Sequence, residues 1–233
     1  MLEVRSLRAR YGSSEVLFGV DLRVAAGEVV VLLGRNGAGK TTTLKSIMGV
    51  LPTRAGTIRF REGDIVAKAS DEICRLGIGY VPEDCRIFRG LSVRENLETG
   101  RRAARGGRET WDETRLFDLF PDLKLSAERP AQSLSGGQQR MLAVARTLMG
   151  NPDLLLLDEP SEGIAPIVVQ QMLERLQLLK AAGATILLSE QNLGFSLKLA
   201  DRVYIIEKGE IKYEGTPASL REDSATREAY LMV

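Results

Sequence analysis

Hydrophobic and polar positions alternate along the first 25 residues, as in antiparallel strands. The stretches LEVRSLRARY and EVLFGVDLRV flank Gly12-Ser13-Ser14, which predicts a hairpin. The run GEVVVLLG, residues 27–34, is continuously apolar and β-branched, a pattern typical of a strand buried on both faces in a parallel sheet. A glycine-rich turn and then KTTTLKSIMGVL, a predicted helix, follow this run. The order of strand, glycine loop and helix predicts a βα unit.

The rest of the chain divides into a helical part and a second α/β part. GTIRFREGDIV predicts another hairpin, and residues from about 70 to 134 are predicted to be helical and irregular. The clearest helical stretches there are SVRENLETGRRAARGGRE and DETRLFDLFPDL. Farther on, DLLLLDEP and ATILLSEQ are predicted strands around the amphipathic helix IVVQQMLERLQLLKAAG, and two short strands joined at Lys208-Gly209-Glu210 follow. The pattern predicts a mainly parallel α/β core with an antiparallel edge and a helical insertion.

Composition narrows the class of protein only a little. The 233 residues fit one large domain or a core with a smaller subdomain. The balance of 32 basic and 31 acidic residues gives no general attraction to nucleic acid or to an anionic membrane. No segment approaches the ~20 apolar residues of a membrane helix, and the charged first ten residues lack the apolar region of a signal peptide. We expect a soluble protein that reaches a membrane only through a partner, with Cys74 and Cys85 as reduced thiols.

The stretch GRNGAGKT, residues 34–41, fits the pattern of a phosphate-binding loop between a strand and a helix. Its glycines let successive backbone N–H groups surround phosphate oxygens, and the following helix adds the positive end of its dipole. Lys40 would reach the β- and γ-phosphates, and the Thr41 hydroxyl would ligate Mg²⁺. The predicted nucleotide-binding residues of this region are Gly34, Arg35, Asn36, Gly37, Ala38, Gly39, Lys40, Thr41 and Thr42.

Two carboxylates close the apolar strand LLLLDEP, residues 154–160. Asp158 can orient Mg²⁺ or its water, and Glu159 can accept a proton from an attacking water. Because consecutive strand residues point to opposite faces, we expect distinct roles for the two carboxylates. An acidic pair at a strand end is also common on protein surfaces, so the functional interpretation depends on the phosphate loop.

The stretch LSGGQQR, residues 134–140, lies between these two motifs and opens a predicted helix. A serine, two glycines and a glutamine at a helix N-terminus form a second candidate anion-binding element. Two such elements in one chain suggest that two molecules each cap the nucleotide held by the other. An ordinary glycine turn would give the same local pattern.

The order GRNGAGKT, LSGGQ, LLLLDEP resembles the ATP-binding subunits of ABC transporters over essentially the whole chain. The resemblance implies a P-loop NTPase core, the ABC ATPase fold, at about residues 1–85 and 135–233, with a helical subdomain at about 86–134. It also implies a head-to-tail dimer that sandwiches two Mg-ATP between one subunit's phosphate loop and the other's signature. Tyr11 matches the aromatic residue that stacks on adenine. Ser135, Gly137 and Gln138 match the signature residues that contact the γ-phosphate across the dimer.

Three positions depart from the usual pattern of that family. Glu83, in GYVPEDCRIF, stands where a glutamine usually touches Mg²⁺ and senses the membrane subunit. Ala165, in DEPSEGIAP, replaces an aspartate that usually crosses the dimer interface. Gln191, in LLSEQN, replaces a histidine that usually contacts the γ-phosphate, and the chain has no histidine at all. We expect Gln191 to sense the γ-phosphate through its amide and Glu190 to be only a flanking residue.

These departures resemble the importer subfamily for branched-chain amino acids and related small amides, including urea, and specifically its second ATPase subunit. The implied activity is ATP hydrolysis, with Glu159, Gln191 and Lys40 as catalytic residues and Thr41, Glu83 and Asp158 as Mg²⁺ ligands. The implied partners are a different ABC ATPase or a second copy of this chain, transmembrane permeases and, indirectly, a solute-binding protein. They would meet at the cytoplasmic side of the cell (inner) membrane. Alternatives are a soluble ABC ATPase of translation or DNA repair, and a regulatory module that binds ATP without turnover.

Overall fold

A computed structural model gives the structure of residues 1–103 and 110–231. The strands in this part of the chain are β1 (Leu2–Tyr11), β2 (Ser14–Val24), β3 (Val29–Leu33), β4 (Thr53–Phe60), β5 (Gly63–Asp64), β6 (Ile78–Val81), β7 (Leu154–Asp158), β8 (Ile186–Glu190), β9 (Arg202–Glu207) and β10 (Glu210–Gly215). The helices are α1 (Lys40–Ile47), α2 (Ser70–Leu76), α3 (Val93–Gly100), α4 (Glu113–Leu119), α5 (Pro121–Leu125), α6 (Gly136–Leu148), α7 (Pro166–Ala181), α8 (Leu193–Leu199), α9 (Pro217–Glu222) and α10 (Ser224–Tyr230). None of these helices is long and apolar enough to cross a membrane.

Two sheets organise the molecule. The larger has the order β10-β9-β3-β8-β7-β6, and its neighbouring strands are parallel except for the antiparallel pair β9–β10. The smaller is antiparallel, with the order β2-β1-β4-β5. The prediction of a mainly parallel sheet with an antiparallel β subdomain and a helical insertion is therefore confirmed.

Strand β3 is buried on both faces of the larger sheet. Val29, Val31 and Leu33 pack in a cluster with apolar residues of α3, α4, α6 and α7. Val30 and Leu32 pack in a second cluster with the smaller sheet and with α1 and α2. A strand covered on both faces needs apolar residues at every position, which explains the continuous run in the sequence.

The predicted helical insertion contains α3, α4 and α5. Helix α3 begins with a reciprocal cap, in which Ser92 Oγ accepts from the Glu95 N–H and the Glu95 carboxylate accepts from the Ser92 N–H. The stretches predicted as most helical contain α3 and α4, as expected. Residues 104–109 of the first stretch lie outside the described part of the chain.

Two local elements differ from the sequence prediction. Helix α1 ends at Ile47, before the predicted end at residue 51, because Gly49 turns the chain with φ +67°. Strand β6 lies within the region expected to be helical and irregular. It has only four residues and forms by parallel pairing with β7. Gly79 allows β6 to pack closely against α6, since a Cβ there would lie 2.7 Å from Thr147 Cγ2.

Candidate active site

The carboxyl ends of β3, β8 and β7 meet at one edge of the larger sheet. In the parallel register Leu33 pairs with Glu190, and Asp158 pairs with Ser189. The Gly34 N–H donates to the Glu190 carbonyl at 3.2 Å. This register brings together the phosphate loop, the acidic pair and the end of TILLSEQN, and such an edge is where open α/β sheets bind ligands.

The phosphate loop has a backbone path that requires glycine. Gly37 and Gly39 have φ of +78° and +112°, in the left-handed region that disfavours a Cβ. A Cβ on Gly39 would lie 2.8 Å from Leu17 Cδ2, and one on Gly34 would lie 2.5 Å from the Ile206 carbonyl oxygen. Helix α1 starts directly after the loop, without a side-chain cap on its N-terminal N–H groups. These N–H groups are therefore available to an anion.

Lys40 is the buried cation of the site, with 3% of its surface exposed. Its Nζ donates to the carbonyls of Gly34 at 2.8 Å and Arg35 at 3.0 Å, and lies 3.1 Å from Glu159 Oε1. Burial lowers the pKa of Lys40, and the negative charges that oppose this shift are Glu162, Asp158, Glu190 and Glu83. The ammonium thus lies within a group of carboxylates that favour its charged form.

Three hydroxyl groups fix the orientation of the Asp158 carboxylate. Thr41 Oγ1 and Ser189 Oγ donate to Oδ1 at 2.9 and 2.7 Å, and the Tyr80 hydroxyl donates to Oδ2 at 3.0 Å. Burial and the charge of Asp158 raise the pKa of Tyr80, which keeps the phenol protonated as a donor. The Thr41 hydroxyl and the Asp158 carboxylate, both predicted Mg²⁺ ligands, are thus in direct contact.

Glu159 follows the end of β7 in a left-handed conformation, with φ +49°. Its N–H donates to the Ser189 carbonyl at 3.2 Å and to Ser189 Oγ at 3.1 Å, and its carbonyl accepts from Arg140 Nη1 at 2.6 Å. Asp158 and Glu159 were expected to point to opposite faces of one strand. This alternation does not apply, because the backbone leaves the strand geometry at Glu159. The Glu159 carboxylate instead contacts Lys40, beside the Thr41 contact of Asp158.

Glu190 was expected to be only a flanking residue, and the structure corrects this interpretation. The side chain is 1% exposed, and its carboxylate accepts four hydrogen bonds from Ser161, Gln191 and Asn192. Burial raises the pKa of Glu190, and these hydrogen bonds oppose that shift. Gln191, the predicted phosphate sensor, is exposed at the same edge.

The remaining predicted residues lie around this site. Glu83 is exposed, and its carbonyl accepts from Arg140 Nη2 at 3.3 Å. Its charge acts on Lys40, so it belongs to the same acidic group. Tyr11 ends β1 with 47% of its surface exposed, as an aromatic residue that stacks on a base would require. The metal role of Glu83 and the stacking role of Tyr11 remain predictions.

The predicted signature forms the start of α6. Ser135 Oγ accepts from the Gln138 N–H at 3.3 Å, and Gln138 Oε1 accepts from the Ser135 N–H at 3.0 Å. Gly137 packs so closely on α7 that a Cβ there would lie 2.3 Å from Val168 Cγ1. Ala165 is exposed and precedes α7 at the N-cap position, without a side-chain cap. Within one chain, these residues shape a helix start and its packing on α7.

Sequence reasoning missed four residues of the site. Ser189 and Glu190 carried a signal, since polar residues at the end of a buried strand often face a ligand. Arg140 belongs to the quoted stretch LSGGQQR, but its reach to Glu159 depends on the packing of α6. Tyr80 lies on β6, which the sequence pattern did not predict.

Comparisons with known proteins assign the family. The chain matches the ABC transporter family model over residues 17–162. It is 42% identical over 231 residues to the high-affinity branched-chain amino acid transport ATP-binding protein BraG of Pseudomonas aeruginosa, with 99% of each chain covered. It is 35% identical over 232 residues to the lipopolysaccharide export system ATP-binding protein LptB of Escherichia coli, with 99% of this chain and 96% of LptB covered.

Solved structures agree with the sequence comparisons. An ATP-binding subunit of an ABC transporter matches with a TM-score of 0.82 and 32% identity, over 99% of this chain and 96% of the other. An ATP-binding cassette of an ABC transporter in its ADP conformation matches with a TM-score of 0.81 and 28% identity, over 98% and 97%. The chain therefore belongs to the ABC transporter ATP-binding subunits, a class of ATP-hydrolysing proteins that work with transmembrane permeases. The predicted family, fold and ATPase activity are confirmed.

Gly137→Ala should lower the free energy of unfolding by about 1–3 kcal/mol, because overpacking at a tight contact costs about this much. The new Cβ would overlap Val168 Cγ1. Gly136→Ala is the matched control, since a Cβ there has no neighbour within 4 Å. Urea unfolding of the two variants measures the difference. Equal stabilities would show that Gly137 does not set the packing of α6 on α7.

Proposed function

We propose that this chain is the ATP-hydrolysing subunit of an ABC importer for a small polar solute, with branched-chain amino acids as the favoured solute. The full-length identity of 42% to BraG carries this proposal. Urea or short amides would use the same mechanism in the same role. Export of a lipid is the second candidate, which the 35% identity to LptB supports. The higher identity to BraG ranks import first.

The phosphate loop suits a nucleoside triphosphate. Its left-handed glycines and the uncapped N-terminus of α1 present N–H groups to the phosphates, so residues 34–42 would hold ATP. Tyr11 would stack on the adenine. The signature residues Ser135, Gly137 and Gln138 would cover the γ-phosphate bound by the other subunit of a dimer.

Thr41 and Asp158 suit Mg²⁺. Mg²⁺ prefers hard oxygen ligands and usually takes few from the protein, the rest coming from phosphates and water. The two side chains contact each other at 2.9 Å beside the loop. In the described part of the chain, no group of three or more acidic or cysteine side chains could hold a metal alone. Glu83 would add a further oxygen, and Mg²⁺, when bound, neutralises charge on the transferred phosphoryl group.

Glu159 is the general base in this proposal. Its carboxylate lies 3.1 Å from Lys40 Nζ, and this contact supports a place for Glu159 beside the γ-phosphate that Lys40 would bind. Lys40 would hold that phosphate, and Glu159 would accept a proton from the attacking water. Gln191 would donate an amide hydrogen bond to the phosphate or the water. This arrangement acts through positioning and charge, as phosphoryl transfer requires.

A groove beside the site suits a segment of a permease. It has a volume of about 420 Å³ and is lined by residues that include Met48, Val50, Cys74, Tyr80 and Phe88. Val50 and Phe88 are large apolar side chains with more than half of their surface exposed. Docking there would place the chain at the cytoplasmic side of the inner membrane and link the permease to the segment of Glu83. The balanced charge of the chain gives no support for a nucleic acid partner.

The ATPase partner in this proposal is a different ABC subunit. Ala165 and Gln191 replace an aspartate and a histidine of the usual pattern, and a partner that retains both would complete one of the two composite sites. A solute-binding protein would complete the importer from the other side of the membrane. A homodimer of this chain is the alternative assembly.

Glu159→Gln should retain ATP binding and lower turnover by about 10²–10⁴-fold, because it removes a general base while it preserves shape. The measurements are steady-state phosphate release and the binding of a fluorescent ATP analogue. Glu174→Gln, at an exposed position on α7, is the control for loss of an acidic side chain. Hydrolysis by Glu159→Gln at the wild-type rate would assign the base to another residue.

Gln191→Ala should lower turnover, because it removes a hydrogen bond to a charged group with a net value of ~1.5–3 kcal/mol. Gln191→His should retain activity and become pH-dependent near neutrality, because a histidine with a pKa of ~6.5 gains a proton as the pH falls. Hydrolysis at saturating Mg-ATP, followed from about pH 5.5 to 8.5 around that pKa, tests both variants. An alanine variant equal to wild type at every pH would make Gln191 a spectator.

The purified chain alone should hydrolyse ATP slowly, because both composite sites of a homodimer would lack the usual interface aspartate and histidine. Vesicles that contain the permeases, this chain and a second ABC ATPase should take up labelled leucine in an ATP-dependent manner. Vesicles without the second ATPase are the control, and labelled urea tests the alternative solute. Fast transport without the second ATPase would contradict the heterodimer, and ATP-dependent lipid extraction without leucine uptake would contradict import.

A further inference from the structure

Glu190 joins two loops at the active-site edge of the sheet. Its Oε1 accepts from the Ser161 N–H at 2.9 Å, and its Oε2 accepts from Ser161 Oγ at 2.8 Å. Oε2 also accepts from the N–H groups of Gln191 and Asn192, each at 3.2 Å. One side chain thus binds the loop that follows Glu159 and the loop that follows β8.

The chemistry of the contact selects a carboxylate. An ionised carboxylate only accepts hydrogen bonds, and all four groups around Glu190 are donors, one to Oε1 and three to Oε2. Three of these donors are backbone N–H groups, which cannot accept a hydrogen bond in return. Burying a carboxylate is unfavourable unless such donors replace water. A glutamine at this position would replace one carboxylate oxygen with an NH₂ group. That group would face a backbone N–H, which cannot accept a hydrogen bond, or the Ser161 hydroxyl, which would have to reorient to accept one.

Each of the two loops carries a residue of the proposed chemistry. Ser161 is two positions after Glu159, whose N–H is already held by Ser189. Gln191 is adjacent to Glu190, and Asn192 starts α8 through a cap in which its Oδ1 accepts from the Phe195 N–H at 3.0 Å. The first loop is therefore held at Glu159 and the second at Asn192. The hydrogen bonds of Glu190 then connect the two loops to each other.

We propose that Glu190 is a positioning residue for hydrolysis, which holds the loop of Glu159 and the loop of Gln191 as one unit through its four hydrogen bonds. The unit keeps the carboxylate of Glu159 and the amide of Gln191 directed to the same γ-phosphate and water. This proposal rests on the roles proposed above for Glu159 and Gln191. A purely structural role for Glu190 predicts a loss of stability and of ATP binding together, without a specific effect on kcat.

Glu190→Gln should lower kcat by about 10- to 100-fold, the range for loss of a hydrogen bond to a charged group, with the KM for ATP within about two-fold of wild type. Glu190→Asp, which keeps an acceptor-only carboxylate, should recover part of that loss. Thermal unfolding and binding of a fluorescent ATP analogue accompany the kinetics. Wild-type kcat for Glu190→Gln would overturn the proposal, as would a fall in ATP binding that accounts for the whole loss.

A double-mutant cycle tests the connection without changing the buried charge. Ser161→Ala removes one of the four donors, and Gln191→Ala removes the sensing amide. If Glu190 holds both loops as one unit, the double variant should lose less kcat than the product of the two single losses, since coupled sites are not additive. Losses that multiply independently would overturn the coupling. Turnover by Glu159→Gln at the wild-type rate would instead contradict the proposed base, which separates the failure of that assignment from the failure of this one.

Discussion

The register between β7 and β8 is the constraint on which the rest of the site depends. It pairs Asp158 with Ser189, and the Ser189 hydroxyl then donates to the Asp158 carboxylate at 2.7 Å and accepts from the Glu159 N–H at 3.1 Å. A shift of one residue would reverse the faces of the strand and separate these groups. Because Asp158 and Glu159 contact Thr41 and Lys40, the same pairing also connects the acidic residues to the phosphate loop.

The site has more buried carboxylates than buried ammonium groups. Asp158, Glu159 and Glu190 are buried carboxylates, whereas Lys40 is the buried ammonium among them. Hydroxyl and backbone N–H donors stabilise two of these carboxylates, since buried charges need such partners. In the proposed function, a divalent cation would offset this excess of buried carboxylate, and the glycine loop beside it would offer N–H groups to the phosphates that accompany the cation.

Consecutive residues at the end of the stretch TILLSEQN make different contacts. Ser189 fixes the acidic pair, Glu190 joins two loops, Gln191 is exposed at the site, and Asn192 caps α8. The chain contains no histidine, so its proposed reaction centre has no imidazole, and the described contacts of this stretch are hydrogen bonds of hydroxyl, carboxylate and amide groups.

The sequence by itself determined the fold class, the phosphate loop and the acidic pair, because local pattern specifies them. Continuous apolar runs predicted the buried strands, and the glycine spacing of GRNGAGKT is visible in the sequence itself. Strand β6, and with it the position of Tyr80, could be identified only from the tertiary structure, since a four-residue strand forms only by pairing. The contact of Arg140 with Glu159 also required it, because the packing of α6 decides which groups a long side chain can reach. The hydrogen bonds of Glu190 likewise required the tertiary structure. Its four donors come from segments about thirty residues apart, at Ser161 and at Gln191-Asn192, and a carboxylate's partners across such a distance are set by strand register.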